Sequence, residues 1–205
     1  MMSAGRVGLL AALVVLLAGC GGNKASGNAK GPSKFTGVLR YYPLEPGMQW
    51  SFMLRESPSL PGLLVVTKVV AFDGAFAELR TGTSTTALRV APDGILREPQ
   101  HTYLLRWPIV AGAKWPTSAG ATMEVTAVDR QVTVDAGTFE GCVETTERFG
   151  GDEAKVLRTT FCPDVGPVLL EATALGLEGG PVTQRATLRA FGPGQVIAPD
   201  KKAEP

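Results

Sequence analysis

Leu63-Leu64-Val65-Val66-Thr67-Lys68-Val69-Val70-Ala71-Phe72 is ten residues of almost unbroken aliphatic and β-branched side chains, and it stops at Asp73-Gly74. Branched side chains fit a pleated strand better than a helix, and Asp-Gly supplies the positive φ that a tight hairpin needs. The segment predicts a central strand followed by a hairpin. Towards the N-terminus, Trp50, Phe52 and Leu54 alternate with Gln49, Ser51 and Arg55. Towards the C-terminus, Val182, Ala186, Leu188 and Ala190 alternate with Thr183, Arg185, Thr187 and Arg189. A period of two marks strands with one buried face. Pro92-Asp93-Gly94 and Gly150-Gly151-Asp152-Glu153 read as further turns, and no stretch carries a sustained helical stripe with caps. The expectation is an all-β domain: an antiparallel, curved sheet or partly open β-barrel of about ten strands within residues 35–191.

Composition narrows the function classes. The chain has 205 residues, 44% hydrophobic and 19% charged, with one His, three Cys and a formal net charge of +1. Intrinsic disorder needs far fewer apolar residues, and a nucleic-acid surface needs a marked basic excess. A single His removes most metal and triad chemistry. No cofactor motif is present, and Gly179-Gly180-Pro181 and Gly192-Pro193-Gly194 lack the strand-to-helix context of a phosphate loop.

The first twenty residues give an address. A short positive start, residues 1–6, runs into the apolar or small residues 7–17, too few to span a bilayer. Leu17-Ala18-Gly19-Cys20 then resembles the lipobox of bacterial lipoproteins, in which the Cys thiol accepts diacylglycerol before cleavage. The alternative is an ordinary secretory signal. The resemblance implies a signal peptide over residues 1–19 and a mature chain that begins at a lipidated Cys20, anchored to a membrane by more than one acyl chain. Removing Arg6 leaves 19 basic and 19 acidic side chains. Residues 20–34, rich in Gly and Lys with no acid, read as a flexible tether with a span of roughly 20 Å. A single β domain over residues 35–192 and a disordered tail over 193–205 complete the organisation. Gly21 after the Cys leans towards the outer membrane, so the expected location is the cell envelope, lipid-anchored and facing the periplasm.

Two segments match 65 positions apart. Tyr42-Pro43-Leu44 with Gly47 and Trp50 shares the pattern aromatic-Pro-aliphatic-x-x-Gly-x-x-Trp with Trp107-Pro108-Ile109, Gly112 and Trp115. Pro fixes φ, Gly supplies a turn, and the Trp packs on the next strand, so each copy reads as a structural corner. A sharper reading makes Tyr41, Tyr42, Trp50, Trp107 and Trp115 the rim of a ligand cavity. The similarity ends beyond the two tryptophans, so a full repeat is not inferred. Pro43-Leu44-Glu45-Pro46 and Pro58-Ser59-Leu60-Pro61 fit PxxP but read as loops.

With Cys20 acylated, Cys142 and Cys162 are the remaining thiols, in a compartment where pairing is expected. A hairpin folded about residues 151–153 pairs residues whose numbers sum to 304, which sets Cys142 directly opposite Cys162. On that register Val143 faces Phe161, and Glu144 and Thr146 face Thr160 and Arg158 on the cysteine side, so the disulfide braces a polar face.

The assembled motifs resemble a family of bacterial lipoproteins and secreted β-domains of unassigned activity. The carriers of that resemblance are a [YW]-P-[LI]-x-x-G-x-x-W corner at residues 42–50, V-x-A-G-T-F-x-x-C at 134–142, and Asp164-Val165-Gly166. Relatives often hold Pro where Asp135 stands and a small residue where Cys162 stands, which marks the disulfide as a local addition. The motifs are structural, so no catalytic residue carries over. Curved exported sheets also include periplasmic lipoprotein carriers, a likeness of fold class only.

Enzyme chemistry finds no constellation. His101 sits among polar neighbours, and the adjacent acids Asp152 and Glu153 fall in an expected turn. No metal-ligand cluster is present. Two readings remain: a non-catalytic, membrane-anchored β domain acting as an envelope scaffold or interaction module, or a carrier or sensor of a lipid or other hydrophobic ligand in a concave sheet. A carrier needs an apolar hollow of about 300 Å³ or more, whereas a scaffold fills that space with side chains. The bulky tryptophans and phenylalanines predict the filled version.

Overall fold

The computed structural model describes residues 33–56, 61–149, 155–175 and 180–194. The expected signal peptide, Cys20, the tether as far as residue 32, the 150–153 turn and the tail beyond Gly194 lie outside the described residues. Twelve strands form: β1 Met48–Arg55, β2 Leu63–Phe72, β3 Phe76–Thr81, β4 Ser84–Ala91, β5 Gly94–Glu98, β6 Thr102–Arg106, β7 Lys114–Pro116, β8 Thr122–Val134, β9 Gly137–Arg148, β10 Val156–Cys162, β11 Gly166–Leu175 and β12 Pro181–Pro193. The all-β expectation holds, with twelve strands among the described residues in place of about ten. The excess comes from pieces such as β7, three residues long, too short to carry a readable period.

All twelve strands belong to one antiparallel sheet in the order β6-β5-β4-β3-β2-β1-β12-β11-β10-β9-β8-β7. The chain is thus two six-stranded meanders joined where its first strand pairs with its last. The open edges, β6 and β7, follow one another in sequence and lie at opposite ends of that order. Across this seam the Trp115 indole Nε1 donates to the Tyr103 carbonyl at 2.9 Å, so a side chain bridges where no ladder runs. Keeping both edges short limits pairing with other chains. The sheet therefore curls into a nearly closed barrel.

One end of the barrel, here the tether end, collects the start of β1, the finish of β12 and the β2–β3, β4–β5, β8–β9 and β10–β11 turns. The Asp73-Gly74 turn forms there as expected: Asp73 Oδ1 accepts the Ala75 and Phe76 amides at 2.8 and 2.7 Å. Those bonds to the charged carboxylate, Phe76 foremost, hold its pKa below the usual value. Residues 35–47 cross this end as a plug. Val38, in a 3-10 turn at Gly37–Arg40, and Tyr42, Pro43 and Leu44 are buried. Tyr42 stacks on Trp50 with centroids 5.4 Å apart and meets Phe161 edge-on at 5.9 Å. Trp50 Nε1 donates to the Val165 carbonyl at 2.6 Å, which satisfies its one polar atom. With Phe139, Leu88, Ile95, Leu105, Val143 and Leu188, these side chains fill the tether-end half of the barrel.

Two expectations about facing need correction. In β12, Ser51 pairs with Ala190 but Phe52 pairs with Leu188, so a bulge at Arg189 switches the alternation. Phe191 packs on the core in place of Ala190, which is exposed, and Val182 lies out on the far end. In β2 the central position is right, fifth of twelve strands, but Val69 alone is fully buried. Leu63 and Leu64 are 64% and 56% exposed, because β2 runs beyond the filled half of the barrel.

Candidate functional site

Of the five aromatics expected to rim a cavity, Tyr42 and Trp50 stack on each other and Tyr41 packs against the same cluster, while Trp107 and Trp115 lie elsewhere. Tyr42 and Trp50 lie in the core, where burial raises the Tyr42 pKa well above its ordinary value. Tyr41 caps the 3-10 turn, half-buried, its pKa also raised chiefly by burial. Trp115 belongs to a smaller cluster with Met123 and Val125, and Trp107 is 49% exposed on the β6–β7 connection. The two matching segments do form the same corner. Gly47 and Gly112 both adopt positive φ, at 87° and 83°. Gly47 N bonds the Val69 carbonyl and Gly112 N the Val125 carbonyl, while Met48 N and Ala113 N close on Glu45 and Val110. Both tryptophan indoles then donate to a backbone carbonyl.

Cys142 and Cys162 form a disulfide, and the β9–β10 ladder runs on the 304 register, with Val143 opposite Phe161, Thr146 opposite Arg158 and Glu144 opposite Thr160. Both cysteines are fully buried. The polar side chains on their face cover one another, since Thr126 bonds Glu144 and Thr146, and Arg130 pairs with Glu144.

Inside the barrel, above the aromatic core, lies a polar layer. Glu147 on β9 is 2% exposed, and Arg97 on β5 reaches both its oxygens through Nη1 at 3.1 Å. The pair ties strands separated in the sheet by β6, β7 and β8. No sequence signal points to it, because the partners stand 50 residues apart.

A concavity lies on the outer face at the far end, where β1, β12 and β11 run side by side. It is a half-open groove of about 430 Å³ lined by Met53, Arg55, Glu56, Glu171, Thr183, Arg185 and Thr187. Strand register builds it: Arg55 pairs with Arg185, Arg185 with Glu171, and Glu171 with Arg158, so one row alternates poorly in charge. Like charges directly opposed across strands are unfavourable unless something anionic sits between them. Glu171 Oε1 stands 3.7 Å from Arg185 Nε, and Glu56 accepts from Gln184 at 2.9 Å. Met53 supplies the large apolar side chain of the described lining. Two arginines and two glutamates line the groove, so its formal charge is zero, and Arg185 already holds Glu171 as a partner.

His101 lies apart from it, on an exposed turn with Nδ1 2.8 Å from Glu98 Oε2. Among the described residues no three His, Cys, Asp or Glu side chains converge as metal ligands.

No family model and no curated protein matches the sequence. Two solved structures are similar in fold. One is a Bacteroides fragilis protein described as exported, with a YmcC-like fold. It is 10% identical with a TM-score of 0.45, over 72% of this chain and 96% of that one. The other, from Parabacteroides distasonis and described as a lipoprotein, is 9% identical with a TM-score of 0.38, over 73% of this chain and 96% of that one.

Proposed function

We propose that the chain is an exported lipoprotein, anchored through Cys20, whose β domain acts by contact and without catalysis, engaging a polar segment of an envelope partner at the Arg55–Arg185 groove. The observation that carries this reading is the packed tether-end half of the interior. Tyr42, Trp50, Phe139 and Phe161 occupy that half of the space a carried ligand could use, which points to the outer surface as the working part. The lipobox-like segment and the buried disulfide both suit an exported setting.

Charge reversal tests it. Arg55→Glu with Arg185→Glu changes exposed side chains, so folding and abundance should stay normal while the phenotype of a deletion strain is reproduced. A doubly reversed chain that restores the deletion strain in full would contradict the groove as the working site. A carrier reading draws on one observation: towards the far end the inner-face residues Leu54, Val65, Leu157 and Leu170 are only half-buried. Saturable one-to-one uptake of a fluorescent fatty acid would favour it.

A further inference from the structure

The two corners share backbone geometry but differ in cover. Tyr42 of the first is 8% exposed under the plug, whereas Trp107, its counterpart in the second, is 49% exposed. Pro43 is buried and Pro108 exposed; Glu45 of the first corner is replaced by Val110, 52% exposed. Among the described residues the second corner thus presents an exposed indole and an exposed aliphatic three positions apart. Phe76, 52% exposed, opens β3 at the same end of the barrel.

The course of the chain says what faces this end. Ser33 is hydrogen-bonded to Asp164 on the β10–β11 turn, and Asp164 N bonds the Arg40 carbonyl at 2.6 Å, so the chain leaves the domain at the tether end. Trp107 N bonds the Asp93 carbonyl of the β4–β5 turn at 2.7 Å, which fixes the second corner at that same end. Thirteen residue steps separate Cys20 from Ser33, a reach of at most about 45 Å. A weakly apolar surface held that near a bilayer experiences an effective concentration in the millimolar range, so a contact too weak to recruit free protein is still populated. Indole is well suited to the interface, with an apolar ring and one N–H donor.

We infer that the tether end rests on the lipid headgroup layer, with Trp107 and Val110 inserted at the interface and the Arg55–Arg185 groove turned away from the membrane. This rests on the proposed lipidation of Cys20. The partner is the bilayer itself; a protein covering the same corner is the competing outcome.

The test uses the full lipidated chain in vesicles of phosphatidylcholine and phosphatidylglycerol, with and without a nitroxide attached at headgroup depth. Trp50 and Trp115 are buried, so the difference between the parent and Trp107→Phe isolates the exposed indole. The expected result is a blue shift and loss of most Trp107 emission on nitroxide vesicles, both reduced in Val110→Asp. A chain that floats with the vesicles but keeps its Trp107 emission unquenched overturns the docking and leaves the anchor intact. So does a blue shift that appears only after an envelope extract is added and is not accompanied by nitroxide quenching, which would assign the corner to a protein. A chain that fails to float overturns the anchor and the docking together.

Discussion

The Arg97–Glu147 pair offers a measurement of the barrel's closure. Glu147→Gln removes one charge and leaves the Arg97 guanidinium facing the interior with a side-chain exposure of 26%. At 3.1 Å and an effective dielectric near 20, the gross attraction is about 5 kcal/mol, much of which is offset by desolvation of the two groups. Breaking one partner of a fully buried pair costs about 3–5 kcal/mol, and the water still available to Arg97 brings the expected loss for Glu147→Gln to about 2–3 kcal/mol. Arg97→Met strands a carboxylate at 2% exposure and should cost more, about 3–5 kcal/mol. The double variant Arg97→Met/Glu147→Met should recover part of this, with a coupling energy of about 1–3 kcal/mol. For a domain of this size, 3 kcal/mol lowers Tm by about 6–12 °C. Urea unfolding followed by tryptophan emission is the assay, since an ionic denaturant would screen the pair. Single variants within about 0.5 kcal/mol of the parent, or strictly additive ones, would refute a load carried across the seam by this contact.

Three further outcomes follow from the same geometry. Cys142→Ser opens a loop whose ends are 20 residues apart and should cost about 3 kcal/mol in non-reducing melts; a reductant should lower the parent towards the variant, and an unchanged Tm would contradict this. Trp50→Ala removes a fully buried indole and its bond to Val165, for about 3–5 kcal/mol, whereas Trp107→Ala should change stability by no more than about 0.5 kcal/mol. Tyr42 keeps its proton in the folded state beyond the pH at which an unfolded tyrosine ionises, because burial raises its pKa. Its contribution is therefore complete below about pH 10 and lost above it, at up to about 1.4 kcal/mol per pH unit, and Tyr42→Phe should flatten the alkaline limb of a pH–stability curve.

What the sequence carried was local. The Asp73-Gly74 turn, the limits of β2 and the opposition of Cys142 to Cys162 depend on residues within one hairpin, where the loop sets the register. The paired corners were legible because Pro and Gly act on their own backbone, and Gly47 and Gly112 do adopt the positive φ their positions need. The Arg189 bulge was not, since no residue type marks it and it arises from fitting β12 against β1. The groove and the Arg97–Glu147 pair were hidden for another reason. Arg55 meets Arg185 only because the first strand pairs with the last, and that closure leaves no trace in either strand's own pattern. Nor do the five aromatics differ in type between core and surface; the plug covering Tyr42 and missing from Trp107 is a tertiary matter.

A native mass spectrum of the chain extracted from its own membranes, with no lipid added, bears most directly on a filled, anchored and oxidised domain. The expected species begins at Cys20, carries the mass of its acyl groups, lacks two hydrogens for the Cys142–Cys162 bond, and holds nothing else. A stoichiometric acyl ligand beyond the anchor, retained until the protein unfolds, would contradict the account.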